Sequence, residues 1–497
     1  MRITNRMMTN NMLSNINKNK QNMSKLEEQY STGKKIQKPS DDPIVTVRAL
    51  KFRTNLAEIE QYYDKNIPDA MSWMDVTEGA LNTINSIVKQ INTYCVQGST
   101  DSLTATDRSS IVQKLVELKN QIYQEGNTNY AGRYVFTGYK TDSSLTFMSQ
   151  SDNLQYDIKE NFTGNQIQGV SIVKGGYELR DLADSDVSFE DSPQMESIYR
   201  IQLSYDKLDN TVIDSIRYSK PVAGGESEDQ PLFTNIKTIS AYESDAYSPD
   251  PDSAHFLYET GELILGKSIY EEFRTADDIE LTYRKSNFDK GDLKPEHYFD
   301  CSVKDLNRPD EPEIEYTKVK QEIRYEINYN QMLTINTEAS DVISHKIGRD
   351  IDDILNSVND VIKTEEKIQE IKKRLDDPNI SGDDASRYDK MLEQLDTELV
   401  LKKEIMQAAF SRGISSSENE QNRVNIGVSD LGSRYFRLEL TENRLASQKT
   451  EFKELLSKNE DVDLVNTIIN FNSAYMIYNA SLSASSKVVQ NSLLDFL

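Results

Sequence analysis

The chain has 497 residues, of which 37% are hydrophobic, and its 82 acidic against 57 basic side chains give a formal net charge of −25. That length is enough for roughly three or four domains, but a mean hydropathy of −0.65 favours thin cores such as those of long helical proteins. The acidic excess argues against nucleic acid as a partner, because phosphate binding needs clustered Lys and Arg.

The start of the chain carries no sign of a cleaved leader. Its first residues, MRITNRMMTNNMLSNINKNK, lack the continuous apolar core of a signal peptide. A run of 18 or more apolar residues does not occur, so no membrane span is predicted. These features indicate a protein that is cytoplasmic or is exported without cleavage. The two cysteines, Cys95 and Cys301, lie far apart, so a disulfide-stapled scaffold is excluded and free thiols are expected.

A first helix is predicted close to the N-terminus, from apolar residues that alternate at spacings of three and four. The stripe consists of Met12, Ile16, Met23, Leu26 and Tyr30. Gly33 suits the end of this helix, because glycine readily adopts the left-handed conformation of a C-terminal cap. Asp42 and Pro43 suit the N-cap and first turn of the next helix.

The longest helical pattern runs from Val45 to Tyr94 and keeps the same spacing throughout. A helix of that length would reach about 75 Å, which is longer than a compact domain is wide, so we interpret it as a rod. Pro68 is expected to kink the helix without ending it, since the stripe continues on both sides. Asn66 and Thr77 interrupt the stripe, either as polar residues that set the register or as tolerated defects. The predicted rod core in this segment is Leu56, Ile59, Trp73, Ile84, Ile87 and Ile91.

A third helix is predicted over 107–125, and from about 146 to 332 the pattern changes to short β-prone runs separated by Gly, Pro, Asp and Ser. These runs include SLTFMSQ, GVSIVKGGYELR, PLFTNIKTIS, DDIELTYR and KQEIRYEINYN. We interpret this segment as a β-rich domain inserted between two helical halves, with KGGYE as a hairpin turn. Its many tyrosines are compatible with binding a glycan or a host surface, but without a clustered motif a solvated outer domain is expected.

Helical periodicity returns near residue 338 and is interrupted at DDPNISGDD, which predicts a helical hairpin over 363–410. This hairpin has no predicted role. After the polar segment SRGISSSENEQNRVNIG, apolar residues recur at intervals of seven. They complete the predicted rod core with Leu431, Leu438, Leu445 and Phe452.

A last helix is predicted to begin near Asp461 or Asp463, either of which can cap its N-terminus. Its apolar stripe consists of Leu464, Ile468, Phe471, Tyr475, Tyr478, Leu482, Val489, Leu494 and Phe496. Such a helix needs a partner, and the stripe of the first helix is the natural one, which predicts an antiparallel pair. The apolar surface that remains indicates an assembly face. Membrane binding is disfavoured, because the polar face carries only Lys487 as a cation.

Nothing in the chain has the spacing of a catalytic or metal site. The three histidines are His255, His297 and His345, and of these only His345 lies on a predicted helix with an acidic residue, Asp341, four positions away, for which a surface ion pair is expected. A nucleophile elbow and a phosphate-binding glycine loop in the required context are both missing. The sequence therefore predicts a protein without catalytic residues, cofactor or metal.

Six motifs at the two ends of the chain carry a family resemblance: MRITNRMM, YSTGKKIQKPSDDPIVTVRAL, NTNYAGRYVFTGYKT, VSDLGSRYFRLELTENRL, LLSKNEDVDLVNTI and NSLLDFL. They resemble the flagellin superfamily and, within it, the FlgL-type hook-associated proteins that join hook and filament. The resemblance covers roughly 1–145 and 420–497. PSDDP, where filament flagellins carry an Ala-rich DDAAG, and the ending SLLDFL fit the junction type better.

The resemblance implies an organisation in three layers. Residues 1–35 and 460–497 would form an inner assembly coiled coil, disordered in the free monomer. Residues 36–145 and 333–459 would form the helical rod, and 146–332 would project outward. It also implies export in an unfolded state, with a cytoplasmic chaperone at the C-terminal region, and assembly outside the cell. There the protein would form a ring of about eleven copies beside another hook-associated protein and flagellin.

The expected fold is therefore mainly α with a β-rich insertion, an elongated antiparallel coiled-coil rod built from both chain termini. Three alternatives to a junction subunit remain at this point. A filament flagellin would share the architecture, and a non-flagellar extracellular coiled-coil tether would need no flagellar partner. A glycan-processing enzyme in the middle domain is the third.

Overall fold

The computed structural model describes residues 5–100, 103–183, 187, 189–219, 232–376 and 381–494, with the backbone alone at 5, 105 and 488–494. The α-helices in these residues are α1 Asn5–Thr32, α2 Pro43–Gln61, α3 Ile67–Gly98, α4 Ala105–Glu125, α5 Lys267–Phe273, α6 Ala339–Val342, α7 His345–Leu375, α8 Gly382–Glu460 and α9 Leu464–Leu494. Within this part of the chain, no helix has the length and hydropathy to cross a membrane.

The strands are short and lie almost entirely in the middle of the chain. They are β1 Asn129–Tyr130, β2 Arg133–Tyr134, β3 Leu154–Phe162, β4 Gln168–Lys174, β5 Gln194–Gln202, β6 Ile216–Ser219, β7 Leu232–Phe233, β8 Ile236–Ile239, β9 Ala254–Leu257, β10 Glu262–Leu265, β11 Asp278–Lys285, β12 Asp300–Asp305, β13 Ile314–Tyr316, β14 Arg324–Asn328 and β15 Gln331–Thr334. Helical ends and a β-rich middle confirm the predicted fold class.

The described residues form two compact units. The terminal unit comprises the described parts of Met1–Ala70, Tyr325–Leu333 and Phe436–Leu497, and the central unit comprises those of Met71–Arg324 and Thr334–Tyr435. The boundaries fall inside α3 and α8, so two long helices contribute to both units. The assignment of three layers by residue range stays a prediction.

Pro68 is accommodated by a widened helical turn. Directly before α3, residues Tyr62–Asn66 form a π-helical turn, and the Ile67 N–H donates to Tyr62 O, five residues back. Such turns occur where a regular helical hydrogen bond has been lost, which Pro68 causes because it has no N–H. The helix does not end here, as the stripe predicted. Asn66 is not a passive defect, because its Nδ2 donates to Glu326 O at 2.8 Å.

Two sheets build the β-rich part of the central unit. One has the strand order β13-β12-β3-β11-β6-β7 and the other β4-β5-β10-β9-β8, with β8 and β9 as a parallel pair. Side chains from both sheets share one hydrophobic core, which includes Ile158, Ile201, Phe256, Leu263 and Leu281. The predicted strand in SLTFMSQ is wrong. The structure has only an isolated bridge there, between Thr146 and Leu293.

Helix α8 runs without a break through SRGISSSENEQNRVNIG, although this segment carries glycine and no apolar stripe. Gly413 and Gly427 lie where neighbouring side chains approach the helix closely. A Cβ at Gly413 would come within 2.7 Å of Ile354 Cδ1, and one at Gly427 within 2.6 Å of Val342 Cγ1. These glycines permit close packing and do not mark a loop.

The predicted helical hairpin is made by the end of α7 and the beginning of α8. It is covered by the long connection between β4 and β5, whose Phe189 packs with Ile368, Ile371, Met391 and Leu395 in one buried cluster. The Gly175-Gly176 pair therefore opens a long connection that packs on helices, and the predicted hairpin turn at KGGYE is wrong. This packing gives the extra hairpin a structural role.

Candidate assembly interface

The two ends of the chain pair with each other in the terminal unit. Helices α1 and α9 run antiparallel, because Tyr30 stacks on Phe471 while Asn19, eleven residues earlier, donates to Ser481 Oγ at 3.1 Å. On α1 the predicted stripe faces this pairing surface. Ile16 is buried, Met12, Met23 and Leu26 are half-buried, and Tyr30 is half exposed at the end of the stripe.

Aromatic rings hold the end of the pair. The Tyr30 and Phe471 rings stack with centroids 6.4 Å apart, and Phe471 and Tyr475 lie at the same separation. Stacked pairs of this kind contribute on the order of 1 kcal/mol beyond their area. The polar Asn19–Ser481 hydrogen bond lies inside an apolar seam, where it favours a single register.

Helix α9 exposes apolar side chains on more than one side. From the predicted stripe, Phe471 and Tyr478 are half-buried, and Phe471 packs on Tyr30 of α1, whereas Leu464, Ile468, Tyr475 and Leu482 are exposed. A second exposed row, about a quarter turn further around the helix, consists of Val465, Ile469 and Met476. At Val489 and Leu494 of α9 the structure describes the backbone alone, and Phe496 lies outside the described residues. A helix that is apolar on most sides needs further neighbours.

A short backbone clasp joins the segments that follow α1 and precede α9. The Val462 N–H donates to Gly33 O at 2.9 Å, and the Lys35 N–H donates to Glu460 O at 2.7 Å. Gly33 has φ of +71°, which glycine adopts without strain. Asp463 then caps α9, accepting from the backbone N–H of Val465 and Asn466. Asp463 is therefore the capping residue of the predicted pair.

Asp461 serves the clasp instead. Its carboxylate accepts from Lys34 Nζ at 2.5 Å and from Ser457 Oγ at 2.6 Å, and these two contacts lower the pKa of Asp461. The neighbouring Glu460 is buried, with 6% of its side chain exposed, and pairs with Arg53 and, at 3.8 Å, with Lys34. Two cations and two carboxylates thus connect the two chain ends to α2.

The predicted rod core is placed inside the two units. Eight of its ten side chains are buried: Ile59, Trp73, Ile84, Ile87, Ile91, Leu431, Leu438 and Leu445. Leu56 and Phe452 are half-buried in the terminal unit, where Phe452 contacts Phe52 edge to face at 6.3 Å. The clasp residues were missed by sequence reasoning, since their contacts join positions more than 400 residues apart.

The two ends of the chain each match a region of a known protein family. Residues 3–141 match the bacterial flagellin N-terminal helical region, and residues 414–497 match the flagellin C-terminal helical region. Both ends of the chain are thus similar to helical regions of flagellin. The paired helices α1 and α9 lie within these two matched regions.

Flagellar proteins of other bacteria are similar to part of the chain. A flagellin of Clostridium tyrobutyricum is 36% identical over 126 residues, which cover 25% of this chain and 33% of the relative. Flagellar hook-associated protein 3 of Salmonella typhimurium is 31% identical over 145 residues, which cover 29% of this chain and 45% of the relative. The chain thus spans a third to a half of the length of these relatives.

Among solved structures, a putative flagellar hook-associated protein from Vibrio parahaemolyticus is 12% identical, with a TM-score of 0.35 over 85% of this chain and 100% of the other. The family and these relatives are structural proteins of the flagellum and not enzymes. In the described residues, no group of three His, Cys, Asp or Glu side chains is placed to hold a metal ion.

Proposed function

We propose that this flagellin-family protein is the structural subunit that joins hook and filament in a bacterial flagellum. The observation that carries the proposal is the outer face of α9, the row Val465, Ile469 and Met476 together with exposed Leu464 and Ile468. Helix α1 leaves this face open. In a chain with flagellin-type termini, such a face fits the corresponding helices of neighbouring subunits.

Assembly would proceed by burying the open apolar rows of α9 and the exposed Met7, Met8 and Leu13 of α1 between copies. Full burial of each side chain contributes roughly 1.5–3 kcal/mol, and every subunit repeats the same contacts. A head-to-tail arrangement of identical subunits closes into a ring when the rotation between them allows it, and the family resemblance suggests about eleven copies.

The partners follow from the same resemblance. The ring would sit between a neighbouring hook-associated protein and flagellin, outside the cell. Before that, the chain would be held in the cytoplasm by an export chaperone at its C-terminal region. The apolar character of α9 supports this, because an unassembled helix of this kind favours aggregation.

A filament flagellin is the second candidate, supported by the 36% identity to the flagellin of Clostridium tyrobutyricum. The terminal helices serve both roles equally. The PSDDP motif at 39–43 and the relative named hook-associated protein 3 favour the junction.

The deciding experiment is immunogold labelling of sheared flagella with an antibody against residues 150–330. A single spot at the hook end is expected. Label along the whole filament would make the chain a flagellin, and unlabelled flagella from motile cells would contradict both flagellar roles.

A substitution tests the proposed face directly. Met476→Asp places a charge on the open side of α9, where the Met side chain is 64% exposed, and is expected to abolish incorporation into flagella. Val400→Asp is the matched control, since Val400 is 65% exposed on α8 in the central unit. Normal incorporation of the Met476 variant would show that this face is not used.

A further inference from the structure

A polar cleft of about 750 Å³ lies in the central unit, between the five-stranded sheet and helices α7 and α8. Its volume is in the range of small-ligand sites. Ile198 and Arg200 of β5 and Glu262 of β10 line the sheet side. The helix side is lined by α7 and by Ile405, Ala409 and Arg412 of α8.

Helix α7 turns polar side chains towards this cleft. Arg349, Asp353, Asn356 and Asp360 line it at spacings of three and four, so they share one face of the helix. A helix that packs closely on a sheet presents an apolar stripe, as α7 does elsewhere with Ile347, Ile351 and Ile354. The polar face therefore keeps the two walls apart.

Three hydrogen-bond donors lining the cleft have no protein partner for one polar atom. They are Arg349 Nε, Arg412 Nε and the Thr260 hydroxyl. Arg349 is only 9% exposed, so its unpaired N–H is costly unless an acceptor reaches it. The remaining guanidinium nitrogens of Arg349 are used, on Thr260 O and, at 3.7 Å, on Asp206.

The carboxylates around the cleft are, in contrast, mostly engaged. Arg200 pairs with both Glu262 and Asp353, and Asp352 accepts from Lys119 at 2.7 Å. Glu259 accepts from Ser240 Oγ at 2.7 Å. Arg412 makes no hydrogen bond or ion pair within the described residues, so its guanidinium is a free donor at the cleft, and its complement is a ligand that presents acceptor oxygens.

Charge decides which kind of oxygen-bearing ligand fits. Seven carboxylates and four basic side chains line the cleft, so an anion meets net repulsion. The rings of Tyr242, Tyr247 and Tyr258 also line it, and Tyr242 is 89% exposed. Hydroxyl groups accept from guanidinium N–H groups and donate to carboxylates, while the apolar face of a sugar ring packs on tyrosine.

We propose that this cleft binds a neutral saccharide, with Arg412 donating to its hydroxyl oxygens and Tyr242 packing on its ring. The site is independent of the terminal helices, so it goes beyond the flagellar role.

The test is binding of the full-length protein to an array of neutral, acidic and amino sugars, followed by calorimetry with the neutral sugar that binds best. We expect millimolar or tighter binding confined to neutral sugars. Arg412→Met keeps most of the apolar stem but removes the donors, and should weaken binding about tenfold or more. Tyr242→Ala should weaken it several-fold, whereas the exposed Tyr329→Ala in the terminal unit should leave it unchanged.

Melting curves of each variant separate loss of binding from loss of folding. Because Tyr242 is exposed, its substitution is expected to leave the fold intact and remains informative if the Arg412 variant unfolds. The proposal is overturned by failure of every neutral sugar to bind at millimolar concentration. It is equally overturned by preferential binding of uronic acids or of the polycation spermine, and by unchanged affinity in the Tyr242 variant.

Discussion

His345, the first residue of α7, is enclosed by aromatic groups. Its Nε2 lies 3.0 Å from Tyr205 Oη, and the ring of Tyr298 is 4.5 Å away, edge to face. Burial, with a smaller contribution from Arg349, lowers the pKa of His345 to about 3. The imidazole is therefore neutral in the folded protein over the whole physiological range.

This burial makes stability depend on pH. In the unfolded chain His345 binds a proton below its ordinary pKa of about 6.5, whereas in the folded chain it binds one only near pH 3. The stabilising contribution is therefore complete above pH 6.5 and is lost progressively as the pH falls towards 3, at up to about 1.4 kcal/mol per pH unit. Denaturant unfolding at pH 7, 6 and 5 should give a shallower decline for His345→Gln than for the wild type, and parallel declines would contradict the assignment.

His297 adds a second such group, since burial and the nearby Lys140, Lys294 and Lys318 lower its pKa to about 3. The raised pKa values of the buried carboxyls Glu160 and Glu420 act in the opposite direction. Because all these groups are retained in His345→Gln, the difference between the two profiles reports His345 alone.

At the scale of single elements, the pairing of α1 and α9 can be separated from assembly. Phe471 is half-buried and stacks on Tyr30, whereas Met476 lies on the open side of the same helix. Phe471→Asp should separate the pair in the isolated monomer, because it removes part of the roughly 1.5–3 kcal/mol that full burial of such a side chain contributes and places a charge in the seam. Met476→Asp should leave the pair intact.

Amide hydrogen exchange of the monomer measures this difference. Faster exchange is expected in α1 and α9 of the Phe471 variant, with the Met476 variant close to the wild type. If the wild type itself exchanges as fast as the Phe471 variant, the pair is not stable in the monomer and forms only on assembly.

The sequence predicts an element well where neighbouring residues determine its structure, and poorly where distant contacts do. Capping and helical spacing are local properties, so the sequence predicted the cap at Asp42, Gly33 at the end of α1 and the stripe of α1. Strands β9 and β10 were missed, since four fully buried residues carry no alternation. The continuity of α8 was not predicted. Gly413 is needed because Ile354 and Cys95 leave no room for a side chain there, and the local sequence does not show these contacts.

At the scale of the whole molecule, the family-like ends were predictable from motifs, and the middle was not. The order of strands in the two sheets depends on pairings such as β10 with β5, some 60 residues apart. The cleft depends on contacts such as Arg200 with Asp353, which join β5 to α7. Neither the strand pairing nor this ion pair can be predicted from local periodicity. In the sequence, the polar face of α7 cannot be distinguished from a face exposed to solvent.

The two compact units predict two separable unfolding transitions. Each unit has its own buried residues, Ile59 and Leu445 in one and Ile84 and Phe256 in the other, so calorimetry should resolve two steps. Ile84→Ala removes a fully buried side chain of the central unit at a cost of about 2–5 kcal/mol and should lower only the transition of that unit. Phe471→Asp should affect only the transition of the terminal unit. If either substitution shifts both transitions equally, α3 and α8 transmit the loss across the boundary and the units unfold as one.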